Sequence, residues 1–344
     1  GMQYVVFDGK VHEYRGVSKQ GITFSPVGGR AGWVATREGN WIAVVDGKES
    51  APYDGIAPQG IVFSPDGKRY AFAALSGDKN LVVLDGEEGP LFDAVVGLKF
   101  SARGQHAVYM AIRDLKRYAV IDTVAYGPFD DLRPTSEGQP SPENPMIDVF
   151  EISSDGSRVG FVALRGEEWF VYVDGVESGP YQGCAGLALS PEGSRVAYLA
   201  TRGEGWFMMV DGQEHTGNAL QSLSFSPDGK RLASIVKRAN KRLALIDGVE
   251  GKLYDRIEDP GIRFSPDGRH TAYIADLAGE RLVVTDGVES PPFRRFGKTP
   301  LGFVPNGSQV LYSVRRGENE ALVIGGQEGP PMKSIRTLTF SADG

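Results

Sequence analysis

The feature that most constrains this chain is a repeat. A short apolar run that ends in a Ser-Pro-Asp-Gly type of turn recurs nine times along 344 residues. The last apolar residue before the turn is Phe24, Phe63, Phe100, Ile152, Leu189, Phe225, Phe264, Phe303 and Phe340. Successive anchors lie 36–39 residues apart, except for one gap of 52. A fixed period of that size marks a chain built from stacked copies of one small unit. Midway between anchors a second signal recurs, an apolar run closed by Asp-Gly. It stands at Asp8-Gly9, Asp46-Gly47, Asp85-Gly86, Asp174-Gly175, Asp211-Gly212, Asp247-Gly248 and Asp286-Gly287, with Asp122-Thr123 and Gly325-Gly326 as degenerate copies.

Both signals are hairpin turns. In Ser-Pro-Asp-Gly, Pro presets φ at the second position and Gly accepts a positive φ at the fourth. Asp-Gly is the preferred pair for a two-residue type I′ hairpin. Each period therefore predicts four antiparallel strands, a to d. In the best-preserved copy they run Ile61–Phe63, Arg69–Ala74, Leu81–Leu84 and Gly89–Phe92. Strands b and c are apolar at successive positions, as in Leu81-Val82-Val83-Leu84, which predicts sheets covered on both faces. Nine residues past the anchor comes an aromatic in seven of eight units (Trp33, Phe72, Tyr109, Phe161, Tyr198, Tyr273 and Tyr312; Ser234 is the exception). Two residues further on comes Ala in six (Ala35, Ala74, Ala111, Ala163, Ala200 and Ala275). Large beside small at fixed places suits sheets that interdigitate. Four-stranded sheets stacked in this way predict an all-β fold, a β-propeller of four-stranded antiparallel blades.

The string Phe-Ser-Pro-Asp-Gly-Lys-Arg, at residues 63–69 and again at 225–231, resembles the WD40-like β-propeller repeat of TolB-type bacterial proteins. The resemblance covers nearly the whole chain. It implies a bacterial origin and a binding or scaffold role, and it carries no catalytic residue. The Gly-His and Trp-Asp pairs of true WD repeats are missing, and the unit has its own Asp-Gly-x-Glu hairpin, as in Asp174–Glu177 and Asp247–Glu250.

Eight complete repeats fill about 21–335 of a single expected domain, 1–344. The termini add an extra c–d pair (Tyr4–Phe7 and Val11–Tyr14) and an extra strand a (Thr337–Phe340). The ring is therefore one of eight blades, or of nine positions if the terminal pieces combine. The gap of 52 marks an insertion at about 127–146, rich in Pro, and long loops of this kind often carry function. The chain starts in the middle of a repeat, which leaves room for a start upstream. A cytoplasmic location is the default for a chain that shows no signal peptide, and a periplasmic one follows if the N-terminus is trimmed.

The net charge of −7 argues against a nucleic-acid partner. No apolar run is long enough for a membrane span. The lone Cys184 excludes an intramolecular disulfide, and it reads as a small buried residue. The four histidines (His12, His106, His215 and His270) fall at different repeat positions without metal-ligand spacing, so no metal and no cofactor is expected.

Two sets of residues are candidates for binding. Thirteen residues past the anchor, at the b–c turn, stand Arg37, Arg113, Arg165, Arg202, Arg238 and Arg316. Equivalent positions of a ring would form a basic collar for an anionic partner. The competing reading pairs each Arg with a nearby loop acid such as Glu38, Glu167, Glu204 or Glu318. One residue before the anchor, nearest the axis, Lys99, Glu151 and Arg263 would line the central channel. The sequence points to a non-catalytic propeller that binds a protein partner. The alternatives are a hydrolase or lyase with its site at the channel mouth, and a regulatory module of a peptidase-like assembly.

Overall fold

The computed structural model describes residues 1–133, 149–203, 205–216, 220–258, 261–305, 307–335 and 338–341. The chain divides into two compact units, 1–180 and 181–344. Among the described residues all regular structure is β, and no helix is long and apolar enough to cross a membrane.

Eight antiparallel sheets follow one another along the chain in the expected order a-b-c-d, and we number them as blades one to eight. Blades one to three (16–49, 55–88 and 94–129) and blade four (131–181) up to residue 180 belong to the first unit. Blades five to eight (183–216, 220–250, 256–289 and 302–328) belong to the second. Blade two shows the pattern: strand b (Tyr70–Ser76) pairs with strand c (Lys79–Leu84), which places Phe72 opposite Val83 and Ala74 opposite Leu81. The aromatic and alanine columns lie in the core, from Trp33, Phe72 and Phe161 to Ala35, Ala111 and Ala200. Ser234, which breaks the aromatic column, is buried as well.

Three details differ from the sequence expectation. Strand d of blade two is only Glu87–Glu88; the Gly89 N–H still donates to the Val82 carbonyl, Pro90 has no donor, and the chain regains the sheet at Phe92, which bridges Asn80. In blades two, four and seven, strand a is split into two short pieces. In blade two the break is the turn Ala57–Gly60, which holds Pro58. In blade four the break lies between Arg133 and Phe150, in the later part of the expected insertion. Of the expected insertion, residues 127–133 belong to strand d (Val124–Phe129) and the first piece of strand a (Asp131–Arg133); residues 134–146 lie outside the described residues. At the termini, Gln3–Phe7 and Lys10–Tyr14 form the expected hairpin, and Val5 and Tyr14 pack with Trp33 of blade one. The expected strand Thr337–Phe340 is absent from the described residues 338–341, and Thr337 lies outside them.

The Ser-Pro-Asp-Gly end of the blades is tied by a repeated polar network. The turn Ser is buried, as at Ser64, Ser226 and Ser265. Its Oγ accepts the backbone N–H five residues on, 2.9 Å away at Arg69, Arg231 and His270. It donates to the turn carboxylate (Asp66, Asp228 and Asp267) at 2.5–2.6 Å. These hydroxyl donors hold the three carboxyls below their ordinary range.

In blades one to seven the Asp of the c–d turn joins the same network; blade eight has Gly325 in its place. Asp85 accepts from the Tyr70 backbone N–H and from Arg69 Nε, and Asp247 accepts from Leu232 and Arg231 in the same way. The guanidinium then crosses to the next blade: Arg69 donates to the Gln105 carbonyl and to Asp122, Arg195 to the Lys230 carbonyl, and Arg231 to the Arg269 carbonyl. The turns also nest. A Cβ on Gly104 would come within 2.7 Å of Ser64 and Asp66 in the preceding turn, so Gly is required there for space as well as for its φ of 76°.

Candidate binding groove

The opposite end of each blade carries the b–c turn and the chain's crossing from one blade to the next. Here the six arginines of the sequence series sit at or beside the last position of strand b. Five have a carboxylate partner, and it is not the loop acid. Arg37 meets Glu49, Arg165 meets Glu177, Arg202 meets Glu214, Arg238 meets Glu250 and Arg316 meets Glu328, at 2.6–3.3 Å. In every case the acid lies 12 residues downstream, the Glu of the Asp-Gly-x-Glu hairpin in four blades and of the degenerate Gly-Gly-x-Glu in blade eight. Glu328 is held below the usual carboxylate range by Arg316. Glu177 is lowered first by the Tyr172 hydroxyl and then by Arg165.

In blade three the acid's place is taken by Ala125, and Arg113 instead lies over the rings of Phe92 and Tyr118, at 4.6 and 5.2 Å. Sequence reasoning missed the strand d glutamates. The signal was their constant spacing from the arginines.

The three inner residues lie on first strands: Lys99 and Glu151 in blades three and four, and Arg263 in blade seven. Arg263 lines a cavity of about 240 Å³ with Glu258 and Lys298.

A second device repeats at this end, and sequence reasoning missed it too. Where the chain crosses between blades, an aromatic is followed by Asp in Tyr53-Asp54, Phe92-Asp93, Phe129-Asp130 and Tyr254-Asp255. Each aromatic is buried. Each Asp accepts a backbone N–H of the next b–c turn: Gly77, Asp114, Gly166 and Ala278 donate at 2.7–2.8 Å. A lysine of the preceding strand c binds three of these carboxylates, Lys79 to Asp93, Lys116 to Asp130 and Lys241 to Asp255. Asp255 is consequently held below the ordinary range, first by the Ala278 N–H and then by Lys241.

At the crossing from blade seven to blade eight the device is inverted. The buried aromatic remains as Phe293, but Arg294 follows it. The register is unchanged. In blade seven Ile257 pairs with Ala275 and Arg256 with Asp276; in blade eight Phe296 bridges Val314, and the Arg315 N–H donates to the Arg295 carbonyl at 2.9 Å. Arg294 therefore stands where Asp255 stands, 23 positions before its turn residue Gly317, as Asp255 stands 23 before Ala278.

The result is a groove of about 640 Å³ lined by Arg294, Arg295, Arg315, Arg316, Gly317 and Glu280, together with Pro292 and Phe293. Arg316 is occupied by Glu328. Among the described residues, no carboxylate lies at ion-pair distance from Arg294, Arg295 or Arg315, and no side chain accepts the Gly317 N–H.

No known family's sequence model matches the chain, and no curated protein does. Solved structures are similar at low identity. TolB from Acinetobacter baumannii is 13% identical, with 78% of this chain and 77% of that one covered and a TM-score of 0.32. The Dos1 propeller is 11% identical, with 89% of each chain covered and a TM-score of 0.38. A dipeptidyl aminopeptidase IV candidate from Bacteroides ovatus is 11% identical, with 88% of this chain and 58% of that one covered and a TM-score of 0.42. The chain's own topology gives the class: an all-β fold of four-stranded antiparallel blades, the β-propeller architecture.

Proposed function

We propose that this chain is a non-catalytic binding propeller, and that it takes an acidic protein partner at the b–c end of blade eight. The observation that carries this reading is the break in the repeat at Arg294. Elsewhere serines and aspartates tie neighbouring blades at one end and Arg–Glu pairs close single blades at the other; the crossing Asp is also replaced by Arg15 before blade one and by Gln182 before blade five, but there the next strand pair is Gly16–Thr36 or Gly183–Thr201 instead of two arginines. At blade eight Arg294 takes the Asp place, and with Arg295 and Arg315 it lines an open groove in which, among the described residues, none of the three has a carboxylate at ion-pair distance. Arg295 also stands opposite Arg315, and like charges across a strand pair repel. Such a surface gains when an anionic partner arrives, both in affinity and in association rate.

The chain as a whole is acidic, so the groove is a local basic patch on a surface that otherwise repels such a partner. Affinity capture from the native lysate tests the reading with the wild type beside an Arg295→Gln/Arg315→Gln variant. The partner retained by the wild type is expected to be acidic, to elute with rising salt, and to be lost by the variant. A partner held equally by both proteins places binding elsewhere.

A further inference from the structure

We infer that the blade-eight groove binds a carboxylate, the side chain of an Asp or Glu in an extended acidic peptide segment, at the place that the chain's own aspartate fills in blades two, three, four and seven. This rests on the binding role proposed above and specifies its ligand. Four copies show what this end of a blade accepts. In each, a carboxylate oxygen sits 2.7–2.8 Å from the backbone N–H of the b–c turn. Blade eight keeps the turn: Gly317 has a φ of 66°, in the same left-handed region as Ala278 at 53° and Gly77 at 62°. It also keeps the buried aromatic and the strand register. Only the acceptor is gone, and a cation stands in its place.

The N–H of Gly317 therefore points to an anion from outside. The surrounding charges are arranged to receive one: among the described residues Arg294, Arg295 and Arg315 have no carboxylate at ion-pair distance, since Glu320, the register partner of Arg315, accepts from the Lys298 and Ile335 N–H groups, and the three present planar donor forks that suit carboxylate geometry. Glu280 is the one acid of the lining. It takes the strand c position that Lys79, Lys116 and Lys241 hold elsewhere, so both members of the usual Lys–Asp pair are inverted at this crossing. Glu280 opposes an anion and offers a basic residue of the partner a contact beside the carboxylate, which favours a mixed acidic segment over a bare anion.

The substitution Arg294→Asp tests the inference directly, because it restores the internal carboxylate. Binding of a fluorescent octaglutamate peptide is measured at low salt, with octaglutamine as control and inorganic phosphate as competitor. The wild type is expected to bind octaglutamate and not octaglutamine. Arg294→Asp is expected to melt at the same or a higher temperature, because its turn N–H gains an acceptor, and to lose about tenfold or more in affinity. Arg294→Gln removes the charge without supplying the carboxylate and is expected to lie between the two. Glu280→Gln is expected to tighten binding.

A folded Arg294→Asp protein that binds octaglutamate as the wild type does would overturn the inference. So would a wild type that ignores octaglutamate, or phosphate that displaces the peptide at concentrations where equimolar acetate has no effect, which would identify the ligand as a phosphate. If Arg295→Gln/Arg315→Gln loses the captured partner while Arg294→Asp keeps octaglutamate, the binding surface stands and the carboxylate site falls.

Discussion

The two ends of a blade carry the same types of polar residue and use them differently. At the Ser-Pro-Asp-Gly end, the turn serines and the c–d turn aspartates recur through blades one to seven, and Arg30, Arg69, Arg195 and Arg231 cross to the next blade; His106, His270 and Gln309 take the arginine's place in blades three, seven and eight, and Val304 and Gly325 replace the Ser and Asp in blade eight. At the b–c end the pattern is looser. Arg113 has a ring where the others have Glu, and Arg294 has replaced Asp. A network that spans neighbouring blades cannot change one member without leaving a buried group unpaired. A turn that faces water can, since solvent covers the loss. Change at the second end is tolerated for that reason.

The sharpest break of this comparison is a pair of glycine substitutions. Gly67 lies at the first end with a φ of 73°, and a Cβ there would overlap the Val27 carbonyl oxygen. Gly317 lies at the second end with a φ of 66° and nothing near its Cβ direction, and Ala278 already occupies the equivalent place in blade seven. Gly67→Ala is expected to cost about 3 kcal/mol or more, and Gly317→Ala about 1 kcal/mol, in chemical denaturation. Next in size is Ser226→Ala, which leaves the Arg231 N–H and Asp228 without their buried partner; about 1–2 kcal/mol is expected. Smaller still is Arg238→Ala, which removes one exposed Arg–Glu pair; solvent screening limits the loss to about 0.5 kcal/mol.

Acid adds a pH arm. Asp66, Asp228 and Asp267 have folded pKa values below their unfolded value of about 3.9, so their contribution is complete above that pH and is lost as pH falls through the folded values. A urea midpoint that stays flat from neutral pH down to about 5 and then declines checks this.

Most of the blade was legible in the sequence. The two turns fixed strand order and period, and the aromatic and alanine columns marked the core, because local backbone chemistry and burial act on residues close in sequence. The partners of the six arginines were not read correctly from sequence. Nearest acids were Glu38 and Glu167, but strands b and d bring Glu49 and Glu177 alongside instead. The groove was invisible for a related reason. Arg294 acquires meaning only when the register shows that it replaces Asp255, and the hydrogen bond that defines that position spans 23 residues. The inner residues Lys99, Glu151 and Arg263 were chosen by repeat position alone, and of these Arg263 faces a cavity.

Solvent exchange of two backbone amides tests the central contrast most directly. Ala278 and Gly317 occupy the same place in adjacent blades, one served by the chain's own carboxylate and one not. In amide-resolved NMR the Ala278 proton is expected to exchange slowly and the Gly317 proton fast. Octaglutamate is expected to slow Gly317 and leave Ala278 unchanged. Equal exchange at the two amides, or a peptide that binds without slowing Gly317, would contradict the account.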